Sequence, residues 1–134
     1  MLDSTAAVAA ERQGKNARQV LEAVALGTGD EGIAISVVTV LELAHGITRA
    51  DTTERSDRRQ RSLDDLLMGV PVQPVTVPIA LRAGLIDGQS QRRVSGFPLS
   101  DLVIGVSALE LGFGVGTANV RHFEQIPGLR VVKL

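Results

Sequence analysis

The sequence predicts a three-layer α/β/α fold built on a short, mostly parallel central sheet. Short apolar runs bounded by Gly or Pro alternate with segments whose apolar residues recur at helical spacing. The intervening helical segments are long enough for the crossovers that parallel strands require. No internal repeat or low-complexity linker divides the chain, and 134 residues is close to the size of one domain, so residues 1–134 are read as a single domain.

Asp3 ends the first, very short strand candidate. The small apolar residues from Ser4 to Ala10, then Ala17, Val20, Leu21, Val24 and Ala25, read as one or two helices stopped at Gly27-Thr28-Gly29. Ile33 to Ser36 is a continuous apolar run after Gly32, the pattern of a buried strand, and Val37 to Ile47 turns at once to helical spacing. The charged stretch from Asp51 to Arg61 leads into Leu63, Leu66, Leu67 and Met68, a solvated helix with one apolar stripe that Pro71 ends. Val72 to Val75 follows as a strand that Pro74 pushes toward a sheet edge, and Ile79 to Ile86 as a helix. After Gly96-Phe97-Pro98, the residues Leu99, Leu102, Val103, Val106 and Leu109 mark the clearest helix, ended by Gly112. Gly114 to Thr117 and Leu129 to Val132 are strand candidates separated by a turn at Pro127-Gly128.

Composition removes several functions. There is no Cys, so disulfides, zinc knuckles and thiol nucleophiles are excluded, and this weakly favours the cytoplasm. Two His, His45 and His122, do not make a zinc-hydrolase motif. Trp and Tyr are absent and Phe numbers three, which removes the stacking platform of single-strand readers. The net charge of -1 announces no overall affinity for polyanions. No run reaches the roughly 18 apolar residues of a membrane span, and the start lacks the basic and apolar regions of a secretion signal. Gly27-Thr28-Gly29-Asp30-Glu31-Gly32 fits a dinucleotide fingerprint by letter, but it follows a helix, precedes a strand and carries two acids, so it reads as a turn.

Three carboxylates remain. Asp3 ends the first strand, Glu42 lies between Leu41 and Leu43 in the most apolar helix, and Asp101 opens the Leu99 helix. In a parallel α/β sheet the C-terminal ends of strands and the starts of the following helices converge on one crevice. Three acids gathered there repel one another unless a cation compensates, and hard oxygen donors favour Mg2+ or Mn2+. Each acid has a plainer role open to it: Asp3 as a helix N-cap, Asp101 as a first-turn charge on a helix dipole, Glu42 as a surface charge.

Four segments resemble the PIN-domain ribonucleases, and among them the VapC-type toxins of toxin-antitoxin pairs. Leu2-Asp3-Ser4-Thr5 resembles the opening motif, Ser36 to Ile47 the segment of the second acid, and Leu99 to Gly112 the helix of the third. Thr117-Ala118-Asn119-Val120-Arg121-His122-Phe123, followed by Ile126-Pro127-Gly128-Leu129, resembles the C-terminal signature. Each motif alone is weak, and the four in order cover nearly the whole chain. The resemblance implies a PIN-like fold and an endoribonuclease using Mg2+ or Mn2+, with Asp3, Glu42 and Asp101 as metal-binding and catalytic acids. It implies cleavage of RNA to 5'-phosphate and 3'-hydroxyl ends. Ser4 and Thr117 would orient the site, and Asn119 would supply a polar contact. A small cognate antitoxin of the VapB type and a homodimer are also implied.

Two departures stand out. Many relatives carry a fourth acid at Asn119 or just before the Phe, where this chain has His122, which becomes a candidate for supporting the site or touching phosphate. Only Met1 and Leu2 precede Asp3, so the first strand is expected to be very short or clipped. Arg121, inside the C-terminal motif, is the preferred phosphate contact, whereas Arg55, Arg58, Arg59 and Arg61 and the pair Arg92-Arg93 read as solvated or backbone-tracking charges. The alternatives are a PIN nuclease of RNA processing outside a toxin pair and a catalytically inactive PIN-like binding module.

Overall fold

Leu2 joins the sheet. It makes parallel bridges to Ile35 on one side and Gly116 on the other. The Leu2 N–H donates to Ala34 O at 2.9 Å, and the Gly116 N–H to Met1 O at 2.8 Å. The computed structural model describes residues 1–28, 32–90 and 97–134. In chain order the elements are α1 (Ser4–Arg12), α2 (Ala17–Thr28), β1 (Ile35–Ser36), α3 (Val37–Thr48), α4 (Thr53–Gly69) and β2 (Val72–Gln73). They continue with α5 (Val77–Ser90), α6 (Leu99–Leu111), β3 (Val115–Thr117), α7 (Val120–Phe123) and β4 (Val131–Lys133).

β1 pairs in parallel with β2, with Ile35 opposite Val72, and β3 pairs in parallel with β4, with Val115 opposite Val131. The spatial order is therefore β2, β1, Leu2, β3, β4, with every pairing parallel. Pro74 follows an edge strand, as its missing N–H requires. The chain winds outward from Leu2 first to one side and then to the other, so its direction of winding reverses between Leu2 and β3. Doubly wound sheets bind ligands outside the strand C-termini at such a reversal.

Strand alternation fills both faces. Met1 packs with Ile79, Ala83, Leu102, Val106, Val115 and Phe123 in the core under α5, α6 and α7. Leu2 packs with Ala6, Ala10, Val20, Val24, Ile35 and Leu66 in the core under α1, α2 and α4. Gly105 of α6 lies so close to the segment after α7 that a Cβ there would stand 2.3 Å from Ile126 Cδ1. This draws the turn carrying His122 against α6.

The strands are shorter than their apolar runs suggested. Ile33 and Ala34 precede β1, and Val72–Gln73 is half the expected strand. α2 continues through Gly27 to Thr28, because a glycine costs a helix only about 1 kcal/mol and Val20 and Val24 anchor it in the core. α5 starts earlier than expected, at Val77, since Pro78 falls in the first turn, where no N–H is needed. The rest of the expected turn at 29–31, and Arg92 and Arg93, lie outside the described residues. Among the described residues no helix is long and apolar enough to cross a membrane.

Candidate active site

Asp3 follows Leu2 at the C-terminal end of the central strand and caps α1, accepting from the Ala6 N–H at 3.0 Å. Its cap role and its place at the crevice belong to the same carboxylate. Thr117, at the end of β3, donates its hydroxyl to Asp3 Oδ2 at 2.7 Å across the winding reversal. The Thr5 hydroxyl stands 2.9 and 2.8 Å from the two carboxylate oxygens and accepts from the Ala118 N–H at 3.1 Å. Asp3 is 1% exposed. Burial pushes its carboxyl above the ordinary range, hydrogen bonds from Ala6, Thr117 and Thr5 oppose that, and the Asp101 charge adds to the rise.

Ser36 ends β1 and caps α3, accepting from the Val38 N–H at 3.1 Å, which is why strand passes into helix without a loop. One and a half turns on, Glu42 Oε2 accepts from the Ser4 hydroxyl at 2.6 Å. Asp101 stands in the first turn of α6, with Oδ2 2.6 Å from His122 Nδ1. Burial raises the Asp101 carboxyl, His122 lowers it by hydrogen bond and charge, and Glu42 raises it again.

The three acids thus come from three elements and act on one another, Asp101 on Asp3 and Glu42 on Asp101. Among the described residues they do not stand ready as a closed metal cage. Each carboxylate leans on a hydroxyl or an imidazole instead. The donor set is nevertheless one of hard oxygens, partly buried and mutually repelling, which suits a divalent cation of the Mg2+ or Mn2+ kind.

The chain matches the PIN domain family over residues 1–129. It belongs to the PIN-domain family. It is 33% identical over 101 residues to Ribonuclease VapC10 of Mycobacterium tuberculosis, spanning 75% of this chain and 70% of that one. The fold is similar to VapBC2 of Rickettsia felis bound to a promoter DNA fragment, with a TM-score of 0.81 and 21% identity over 100% of this chain and 97% of the other. It is also similar to DNA-bound VapBC of Salmonella typhimurium, with a TM-score of 0.78 and 25% identity over 99% and 96% of the two chains.

Within this PIN domain the other expected residues have distinct places. Ser4 holds Glu42 and Thr117 holds Asp3. Asn119 caps α7 by position, yet it is its backbone N–H that joins the site, donating to Thr117 Oγ1 at 2.9 Å. Arg121 is exposed, and His122 also packs its ring 5.9 Å from that of Phe97. Of the arginines of α4, Arg55 carries a solvated pair with Asp51, whereas exposed Arg58 reaches the nearly buried side chain of Glu11. On α3 Leu41 is 67% exposed and Ala44 is exposed, so the apolar composition of the helix leaves Glu42 half-buried.

Thr5 is the residue that sequence reasoning passed over, although it stands in the quoted motif two positions after Asp3. Thr5→Val keeps the shape and removes the hydroxyl that links Asp3 to Ala118. RNA cleavage should fall by about tenfold or more, with the fold retained by circular dichroism. Unchanged cleavage would leave Thr5 with a structural role alone.

Proposed function

We propose that this chain is a VapC-type endoribonuclease that depends on Mg2+ or Mn2+. It hydrolyses RNA phosphodiesters to 5'-phosphate and 3'-hydroxyl ends in the cytoplasm and is held inactive by a small cognate antitoxin of the VapB type. The observation that carries this reading is the convergence of Asp3, Glu42 and Asp101 at the winding reversal of the sheet, where burial and mutual charge raise Asp3 and Asp101. The ribonuclease name of its relative and the toxin-antitoxin assemblies among its structural neighbours support the same reading.

In this reading Asp3, Glu42 and Asp101 hold the cation. When bound, the cation stabilises charge on the phosphoryl oxygens and lowers the pKa of a water molecule. Thr5 and Thr117 fix the Asp3 carboxylate through its hydrogen bonds, Ser4 fixes Glu42, and His122 fixes Asp101. Exposed Arg121 contacts a phosphate of the substrate, and Asn119 offers a polar contact beside it. A homodimer gives a use to the stripe Val77, Leu81 and Leu85, which α5 leaves 72%, 63% and 68% exposed.

Antitoxin-free protein incubated with a mixed tRNA and ribosomal RNA pool should cut only with Mg2+ or Mn2+ present and stop on EDTA addition. Cutting that persists in EDTA, or products ending in cyclic phosphate, would contradict this mechanism. A folded protein that binds RNA but cuts nothing with either metal would favour the inactive module.

A further inference from the structure

Beside Glu42, helices α1, α3 and α4 line a cavity of about 190 Å3 that is open to solvent on one side. Pockets that enclose a drug-sized ligand run to about 300–1,000 Å3, so this one suits a single ring system. Ala7, Val8, Leu43 and Leu63 give it aliphatic walls, and Glu11 and Arg59 line it with opposite charges. Arg59 donates to the Gly46 carbonyl and has no carboxylate partner among the described residues. The Glu11 side chain is 10% exposed and binds Arg58 Nε through Oε1 at 2.7 Å, while Oε2 has no partner among the described residues.

This inference rests on the nuclease reading. A nuclease for single-stranded RNA must hold the bases flanking the cut, and such bases are commonly held on aromatic rings or guanidinium planes. This chain has no Trp or Tyr. An aliphatic slot with a guanidinium at its wall, touching both Ser4 and Glu42, is what it offers in their place.

We propose that this cavity is a nucleobase subsite, taking a keto base, uracil or guanine, from a nucleotide next to the cleaved phosphate. A keto base carries an imino N–H that donates to Glu11 and a carbonyl oxygen that accepts from Arg59. Cytosine and adenine present a bare ring nitrogen where the imino N–H would be, which leaves the nearly buried carboxylate facing an acceptor.

The test is fluorescence anisotropy of labelled uridine and cytidine hexamers with antitoxin-free Asp101→Asn protein, a readout that needs no cleavage. The uridine hexamer should bind about tenfold tighter than the cytidine hexamer. Glu11→Gln, whose amide both donates and accepts, should bring the two near parity. Ala7→Leu, which fills the cavity, should weaken uridine binding in protein that still melts cooperatively. Equal binding of the two hexamers, or a preference that survives Glu11→Gln, overturns the subsite. RNA binding untouched by a folded Ala7→Leu protein also overturns it and leaves the cavity to a protein side chain. Loss of metal-dependent cutting by the wild type, by contrast, would fall on the nuclease reading.

Discussion

Asp101→Asn should reduce metal-dependent RNA cleavage by about 10²–10³-fold or more while the protein stays folded. The amide keeps the size of the side chain in the first turn of α6 but removes one of the three charges proposed to hold the cation. It also exchanges a 2.6 Å contact between carboxylate and His122 for a neutral one. Because burial already works against the ionised carboxyl, the variant loses an unfavourable charge and should melt no lower than the cation-free wild type. Single-turnover cleavage and thermal melting on the same preparation check both halves. A variant that cuts at the wild-type rate would remove Asp101 from the site.

The second large effect is on stability. Asp3 and Asp101 both lie above the ordinary carboxyl value of 3.8 in the folded protein, chiefly through burial. A raised carboxyl binds its proton more tightly folded than unfolded. Its stabilisation is therefore complete below the unfolded value and is lost as pH rises through the raised folded value. These two groups should thus weaken the cation-free protein on the way to neutral pH, and a cation should restore what is lost. Mn2+ at a hundred times its dissociation constant adds about 2.7 kcal/mol. The melting temperature at pH 7 should rise clearly with Mn2+, and much less at an acidity where both carboxyls hold their protons. No Mn2+ shift at pH 7, or an equal shift at both, would contradict a cation held by these acids.

Much of this was legible in the sequence because the features are local. The Asp3 cap, the strand-to-helix passage at Ser36 and the first-turn position of Asp101 all follow from neighbouring residues. What escaped depends on distant partners. Strand lengths are set by the ladder each strand finds, so β1 and β2 stop at two residues each, whereas the very short strand at Leu2 is expected from the two residues before Asp3. The link from Thr117 to Asp3 spans 114 positions, and the Thr5 hub is closed by Ala118, so spacing alone does not reveal which hydroxyl serves which acid. Periodicity marks α3 as apolar without saying which face finds a partner, and Leu41 is left exposed. The cavity beside Glu42 is assembled from three helices, and its Glu11 and Arg59 look in sequence like ordinary surface charges.

In the proposed mechanism Asp3, Glu42 and Asp101 hold one cation together. Its most direct test is a Mn2+ titration of the antitoxin-free protein followed by electron paramagnetic resonance, with Asp3→Asn, Glu42→Gln and Asp101→Asn beside the wild type. The wild type should bind Mn2+, and each substitution should weaken that binding by about tenfold or more. Wild-type affinity retained in any one of the three folded variants would contradict a site shared by all three acids.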